Sequence, residues 1–492
     1  MTRNIVEPRL GPANNSGGGL RQLFGLGDLV PLSVSSIGPI YSVAATGGVM
    51  AAQAGWWTLP AIAVLAVPFI VSSFVFRLLN RHFPHAGASY HWSGRVIGRA
   101  ASRYQAWILI LAYFTSIPPI AIPAAGYTIA LVAPRYHGHE AVTFAVTLFW
   151  IAFAAVPLLL GARPTARITK VFFGIEIVSL VGFAVLGLVN LHRVGVPVHF
   201  GKPPIGGILV VAVVAATVLD GWEIDSYAAE ESKRPRRDTG ISGIIGAFLA
   251  LGFYAVLYPL MFAETPMGLL ANASDPLVQW ANRLIPGQTW AMLIPVIGST
   301  AGGLWLTTFI LTRALFAMGR EGLIPDAFGR TSSRGVPHVA TIVVLGLTLL
   351  VTALQIMVTS LGGFFNLVLS AAGFFLLAEF FFDSITAVVF LTWRHDRVPA
   401  AERLGTAPRR LLIVAALFAS AVMGCLLVAF FVYGPQAIGN GIDQTLAVLL
   451  VLGLGFTWWT ARRGAARYDF HGRDAEDTGR GRPDRRRQAM VS

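Results

Sequence analysis

The chain has 492 residues, 55% of them hydrophobic and only 12% charged, with a formal net charge of +13. A globular domain carries about a quarter of its residues as Asp, Glu, Lys and Arg. Apolar runs recur here from Asp28 to Thr460, which excludes a soluble enzyme, a nucleic-acid binder and a disordered scaffold and leaves a polytopic membrane protein. Cys425 is the single cysteine, so neither an internal disulfide nor a cysteine metal cluster can form. The first residues are polar and Gly-rich (Asn14 to Gly19), unlike the apolar core of a cleavable signal peptide.

About 20 predominantly apolar residues span a bilayer. In chain order the sequence predicts twelve spans, at roughly 28–50, 57–79, 104–132, 141–161, 168–190, 205–229, 241–263, 289–316, 338–359, 363–392, 410–433 and 443–460. The third holds Pro118, Pro119 and Pro123, tolerable only where neighbours satisfy the freed carbonyls. With the N-terminus placed in the cytoplasm, all 37 basic residues but Arg135, Arg193, Lys202 and Arg283 fall on the inner side. That asymmetry predicts cytoplasmic termini and an even span count, and it accounts for much of the positive charge without nucleic acid. The expected layout is a cytoplasmic tail over 1–27, a transport core over 28–397, two additional helices over 398–460 and a basic cytoplasmic tail over 461–492. The last is read as solvated and disordered, with an anionic-lipid anchor as the alternative.

Two spans carry residues unsuited to an unbroken helix. Span 1 reads Leu32-Ser-Val-Ser-Ser-Ile-Gly-Pro-Ile-Tyr41, and Pro39 cannot donate a helical hydrogen bond. Span 6 places Asp220, Glu223 and Asp225 around Gly221, where each charge costs at least a few kcal/mol. Spans 1 and 6 open two consecutive groups of five with opposite topology. Paired interruptions in inverted halves point to a transport site at the bilayer midplane.

Four stretches carry a resemblance to a known family. They are the serine/glycine break of span 1; Arg81-His-Phe-Pro-His-Ala-Gly-Ala-Ser-Tyr90, similar to "FPxAGGxY"; Gly221-Trp-Glu with Ala228-Ala-Glu-Glu-Ser-Lys-Arg-Pro-Arg-Arg237, similar to "GFE…AEExKxPxR"; and Arg313-Ala-Leu-Phe-Ala-Met-Gly-Arg-Glu-Gly-Leu-Ile-Pro325, similar to "RxLYAMxRDGxLP". From about Leu26 to Arg397 the chain resembles the amino acid–polyamine–organocation (APC) superfamily. The resemblance implies an all-α fold with a 5+5 inverted repeat, broken helices 1 and 6, and secondary transport of an amino acid or related amine across the cell membrane by alternating access. It implies a substrate site at Ser35, Ser36, Ile37, Gly38, Asp220, Gly221, Trp222 and Glu223. One departure matters: Pro39 and Ile40 follow Gly38 where the family has "GSGIF", so one carboxylate-binding amide is missing.

Each acid has two readings. Asp220 is a partner for a substrate ammonium, or a structural acid bonded to Ser33 or Ser36. Glu223 gates or carries a proton. Asp225 does likewise, or bonds the amides of the resumed half-helix, and Trp222 is a gate or packing. Glu176 stands in span 5 where many relatives hold a lysine, which suits a proton carrier, a cation ligand or an ion pair. Glu379 and Asp383, four residues apart, share a face of span 10. Glu230 and Glu231 are expected to form an inner latch with Lys233, Arg234, Arg236 and Arg237. His82, His85 and His91 read as surface residues, and no metal site or cofactor is expected. Asn272-Ala-Ser274 fits a glycosylation sequon. No nucleophile–base pair and no phosphate-cradling loop suggest an enzyme or an ATP-driven pump. The reading is a proton-coupled amino acid permease; a polyamine or organic-cation permease, a sodium symporter and an exchanger of the same fold are the alternatives.

Overall fold

The computed structural model describes residues 19–273, 275–355, 361–438 and 441–463, and among them all regular structure is helical. Ser274 of the sequon, the end of the ninth expected span, residues 1–18 and the tail from 464 onward lie outside the described residues. In chain order the helices are α1 (Leu26–Ile37), α2 (Pro39–Ala54), α3 (Thr58–His82), α4 (Ala88–Val96), α5 (Arg99–Val132), α6 (Glu140–Phe153), α7 (Ala155–Leu160), α8 (Ala162–Val194), α9 (Ile205–Leu219), α10 (Ile224–Tyr227), α11 (Ile241–Glu264), α12 (Met267–Ala271), α13 (Pro276–Leu284), α14 (Trp290–Arg320), α15 (His338–Gln355), α16 (Leu361–Val389), α17 (Thr406–Ile438) and α18 (Ile442–Arg462). Nine helical runs among the described residues are long and apolar enough to cross a membrane. The first, Leu26–His82, holds 57 residues, and the apolar helices Ile205–Leu219 and His338–Leu354 are shorter.

Burial separates core from periphery. In α14, 89% of the most apolar window is buried inside the protein, against 22% in α8 and 17% in α18. Val171, Val178, Val181, Val185 and Leu188 of α8 are exposed. Such an outer surface is what lipid, not water, would cover. α5 packs against α14 and α16, α1 against α8, α11 and α14, and α2 against α9 and α14. The two interrupted segments therefore lie in the middle of the bundle.

α5 runs 34 residues straight through its three prolines. Pro123 has no N–H to give the carbonyl of Pro119, four residues back; the Tyr41 hydroxyl donates to that oxygen instead, at 3.1 Å. Three short helices were not foreseen. α4 is folded into the cytoplasmic-side turn expected between spans 2 and 3, where Trp92 Nε1 donates to the Phe83 carbonyl at 2.9 Å. α12 and α13 fill the connection before α14, and α13 has a legible start: Asp275 accepts from the Val278 amide at 2.9 Å, with Pro276 at the first helical position.

Candidate functional site

The first interruption is a change of helix at Gly38. Gly38 has φ +56°, a left-handed conformation, and its N–H closes α1 onto the Val34 carbonyl at 3.0 Å. Pro39 then opens α2, where its missing N–H is no loss. The next two amides are taken by side chains from other helices. Ile40 N–H donates to Glu176 Oε1 at 3.2 Å, and Tyr41 N–H donates to Ser299 Oγ at 3.2 Å. Ser299 Oγ in turn donates to Glu176 Oε1 at 2.6 Å. Glu176, buried on α8, thus caps the positive end of α2. The hydroxyls of Ser33, Ser35 and Ser36 are buried and have no hydrogen-bond partner among the described residues.

The second interruption faces the first. α9 stops at Leu219, Asp220 is extended, Gly221 has φ +102°, and the chain re-enters helix as α10. A Cβ on Gly221 would lie 2.7 Å from the Ile37 nitrogen and the Ser36 carbonyl carbon, so only glycine permits both the turn and the approach. The carbonyls freed at the end of α9 are satisfied: Tyr254 donates to Val218 and the Trp222 indole to Leu219, each at 2.9 Å. The Trp222 ring also stacks on Phe380 of α16, with centroids 5.6 Å apart.

Around this contact the acids differ. Asp220 is half-buried, and Ser33 and Ser36 do not bond it, since their hydroxyls have no partner. Glu223 Oε2 accepts the Gly221 N–H at 2.8 Å, and its Oε1 accepts the Tyr113 hydroxyl at 3.0 Å. Asp225 accepts from the amides of Gly240 and Gly243 and the hydroxyls of Ser242 and Ser226. Those amides begin α11, not the resumed half-helix α10. Ser35, Ser36, Ile37, Gly38, Asp220, Gly221, Trp222 and Glu223 are thereby gathered where the two breaks meet, while Glu176 sits behind the first break and Asp225 behind the second.

Charge collects again at one end of the bundle, with partners other than those expected. Glu230 is bound by both guanidinium nitrogens of Arg320, at 2.7 and 2.5 Å, and accepts the Ala86 N–H at 3.1 Å. Glu231 forms a buried pair with Arg313, both contacts 3.2 Å, and that guanidinium lies 3.5 Å above the Phe309 ring. The neighbouring Arg236 reaches Glu402 instead. Burial alone would raise the Glu230 carboxyl, but the Arg320 guanidinium outweighs it and holds the group below the usual carboxylate range. The latch therefore joins the span-6 motif to the span-8 motif, a pairing across some 90 residues that local charge patterning does not reveal.

His85 and His91 are buried, not surface residues, and their rings stack 3.7 Å apart at 14°. Gly87 N–H donates to His85 Nδ1 at 3.1 Å, and Arg320 lies 2.8 Å from its Nε2. Arg95 donates to His91 Nε2 at 3.2 Å, which leaves His91 Nδ1–H for Glu321 at 2.7 Å. Metal-bound imidazoles direct lone pairs in their ring planes at about 2.0–2.1 Å. Two parallel rings at this spacing cannot aim at one ion, so the trio with Glu321 is a hydrogen-bonded stack.

A helical bundle that apolar residues surround, with two half-helices meeting beside a carboxylate and hydroxyls that have no partner among the described residues, is the architecture of a multi-pass membrane protein. The amino acid permease family matches residues 24–456, nearly the whole described chain. The chain belongs to that family, within the APC superfamily, and is an amino acid transporter. It is 27% identical to the L-methionine/branched-chain amino acid exporter YjeH of Escherichia coli, over 69% of this chain and 80% of the relative. It is 26% identical to the branched-chain amino acid permease BcaP of Bacillus subtilis (65% and 72%) and 23% identical to the human large neutral amino acids transporter small subunit 2 (80% and 74%).

Proposed function

We propose that this permease carries a neutral amino acid across the cell membrane by alternating access, coupled to a proton that Glu176 loads and releases. The contact of Gly221 with the Ser36–Ile37 backbone carries the reading: two helix breaks from separate halves form one cradle. Twelve crossings are supported by simple lengths, since 57 residues suffice for two spans of about 20, and α9 with α10 and α15 supply two more. Spans 1–5 and 6–10 then form the inverted core, 398–460 the two added helices, and both tails are cytoplasmic. The names of the bacterial and human relatives support a neutral amino acid.

A second reading is favoured by Asp220. With the Ile40 and Tyr41 amides already engaged, an unpaired carboxylate suits an amine that brings no carboxylate of its own. Uptake into proteoliposomes of radiolabelled leucine, methionine, arginine and putrescine separates the two. Leucine or methionine uptake driven by an inward-acid gradient in sodium-free buffer is expected. Uptake of putrescine alone would establish the second reading, and uptake that needs sodium and ignores the pH gradient would remove the proton from Glu176.

A further inference from the structure

Behind the second break, negative charge is concentrated without a counter-charge. Glu223, Glu379 and Asp383 are fully buried, and among the described residues neither they nor Asp220 form an ion pair. Ionised carboxylates so placed are costly unless a cation joins them.

The oxygens between these acids are linked by three hydroxyls. Tyr113, on α5, lies 3.0 Å from Glu223 Oε1 and 3.5 Å from Glu379 Oε1. Tyr227, on α10, lies 2.5 Å from Glu379 Oε1 and 3.2 Å from Ser89 Oγ. Ser89, on α4, lies 2.9 Å from Glu379 Oε1 and 2.8 Å from Asp383 Oδ2. Six oxygen–oxygen contacts therefore share three hydroxyl hydrogens. With every acid ionised, three of those contacts have no hydrogen between them. Gln105 gives a separate sign of the same shortage. Its Nε2 donates to Asp383 Oδ1 at 2.7 Å, holding its amide against the cluster, yet its fully buried Oε1 has no partner among the described residues. Glu379 Oε2 is likewise buried and, among the described residues, without a partner. Ser89 Oγ itself lies within hydrogen-bond distance of both α16 carboxylates. The cluster is short of protons.

We propose that Glu223, Tyr113, Glu379, Ser89 and Asp383 form a proton-binding relay from the second break to the base of α4; it rests on the reading of the protein as a proton-coupled permease. A proton on Glu223 passes to Tyr113 as Tyr113 gives its own to Glu379. Ser89 hands a proton on to Asp383 in the same way. Each hydroxyl loses one proton and gains one, so no tyrosinate or alkoxide remains, and the net change is one proton moved from Glu223 to Asp383. At its far end the relay adjoins the latch, because Ser89 lies three residues from Ala86, whose N–H is held by Glu230.

The test uses the full-length protein in proteoliposomes, with leucine as the probe and an entrapped pH dye. The wild type is expected to move protons with leucine. Glu379→Gln and Asp383→Asn should lower gradient-driven accumulation at least tenfold, while leucine exchange, which needs no net proton, falls no more than about threefold. Ser89→Ala keeps every carboxyl and should lower accumulation likewise, and Ser89→Thr should restore it. Wild-type coupling with unaffected variants overturns the relay alone. Leucine transport without proton movement in the wild type overturns the coupling reading, and the relay with it. A hydrophobic carbodiimide, which labels protonated carboxyls in apolar surroundings, needs no substrate: mass spectrometry of the purified protein should find it on Glu379 or Asp383, and its absence from both also overturns the relay.

Discussion

Asp220 carries a half-buried carboxylate that none of the three serine hydroxyls of the first break bonds, whereas Asp225, five residues on, accepts from four donors. The two acids look alike in the sequence and differ only in what other elements bring to them. Asp225 holds the start of α11 in place; Asp220, with no ion-pair partner among the described residues, is the proposed ligand contact. Removing one partner of a desolvated charge pair costs about 2–5 kcal/mol. Asp220→Asn should accordingly weaken binding of radiolabelled leucine to the purified protein by well over tenfold. Unchanged affinity in a folded variant would take Asp220 out of the site. Glu176 was legible as a buried acid in an unusual place, but its partners were not: Ile40 is 136 residues away and Ser299 is 123.

The helix breaks were the most legible elements, because Gly38-Pro39 and Asp220-Gly221 violate helix chemistry in the chain itself. Continuity through Pro118, Pro119 and Pro123 was harder to read, since the compensating donor at Pro119 belongs to Tyr41 of another helix. α4 was invisible: its nine residues carry the polar side chains of Ser89, His91, Ser93 and Arg95 and no apolar run, and packing makes it. With α4 came the histidine stack, which has a consequence for pH. Burial first, and then His91, hold His85 well below the usual histidine range. An imidazolium there would also set an Nδ1–H against the Gly87 amide and a second positive charge beside Arg320. The proton therefore binds the unlatched form more tightly. Stability that His85 lends the latch is complete above about pH 6.5 and is lost as pH falls below it, by about tenfold per unit. Hydrogen exchange over residues 83–96, corrected for intrinsic rate, should show about tenfold less protection at pH 5.5 than at 7.5. The difference should vanish in His85→Gln; equal protection at both pH values in the wild type would refute the assignment.

Over the whole molecule, composition and charge distribution carried the most information. The lipid-facing exposure of α8 and the burial of α14 are both outcomes of where apolar residues fall, but the sequence alone did not rank them, since both runs are apolar. All but four of the 37 basic residues lie on one side of the proposed twelve-span topology. A reporter fused after Ser492 should therefore be active only in the cytoplasm, and activity outside would reverse the orientation. The centrality of α14 has a mechanical consequence. Ser299, against the first break, and Arg320, in the latch, stand on the same helix, with no proline between them. They are about 31 Å apart along its axis at 1.5 Å per residue. The helix is a strut that runs from the proposed substrate cradle to the Glu230–Arg320 latch. A tilt of about 5° at Ser299 would swing Arg320 by about 3 Å over that length, enough to part both of its bonds to Glu230, so opening one end requires no signal beyond the stiffness of the rod.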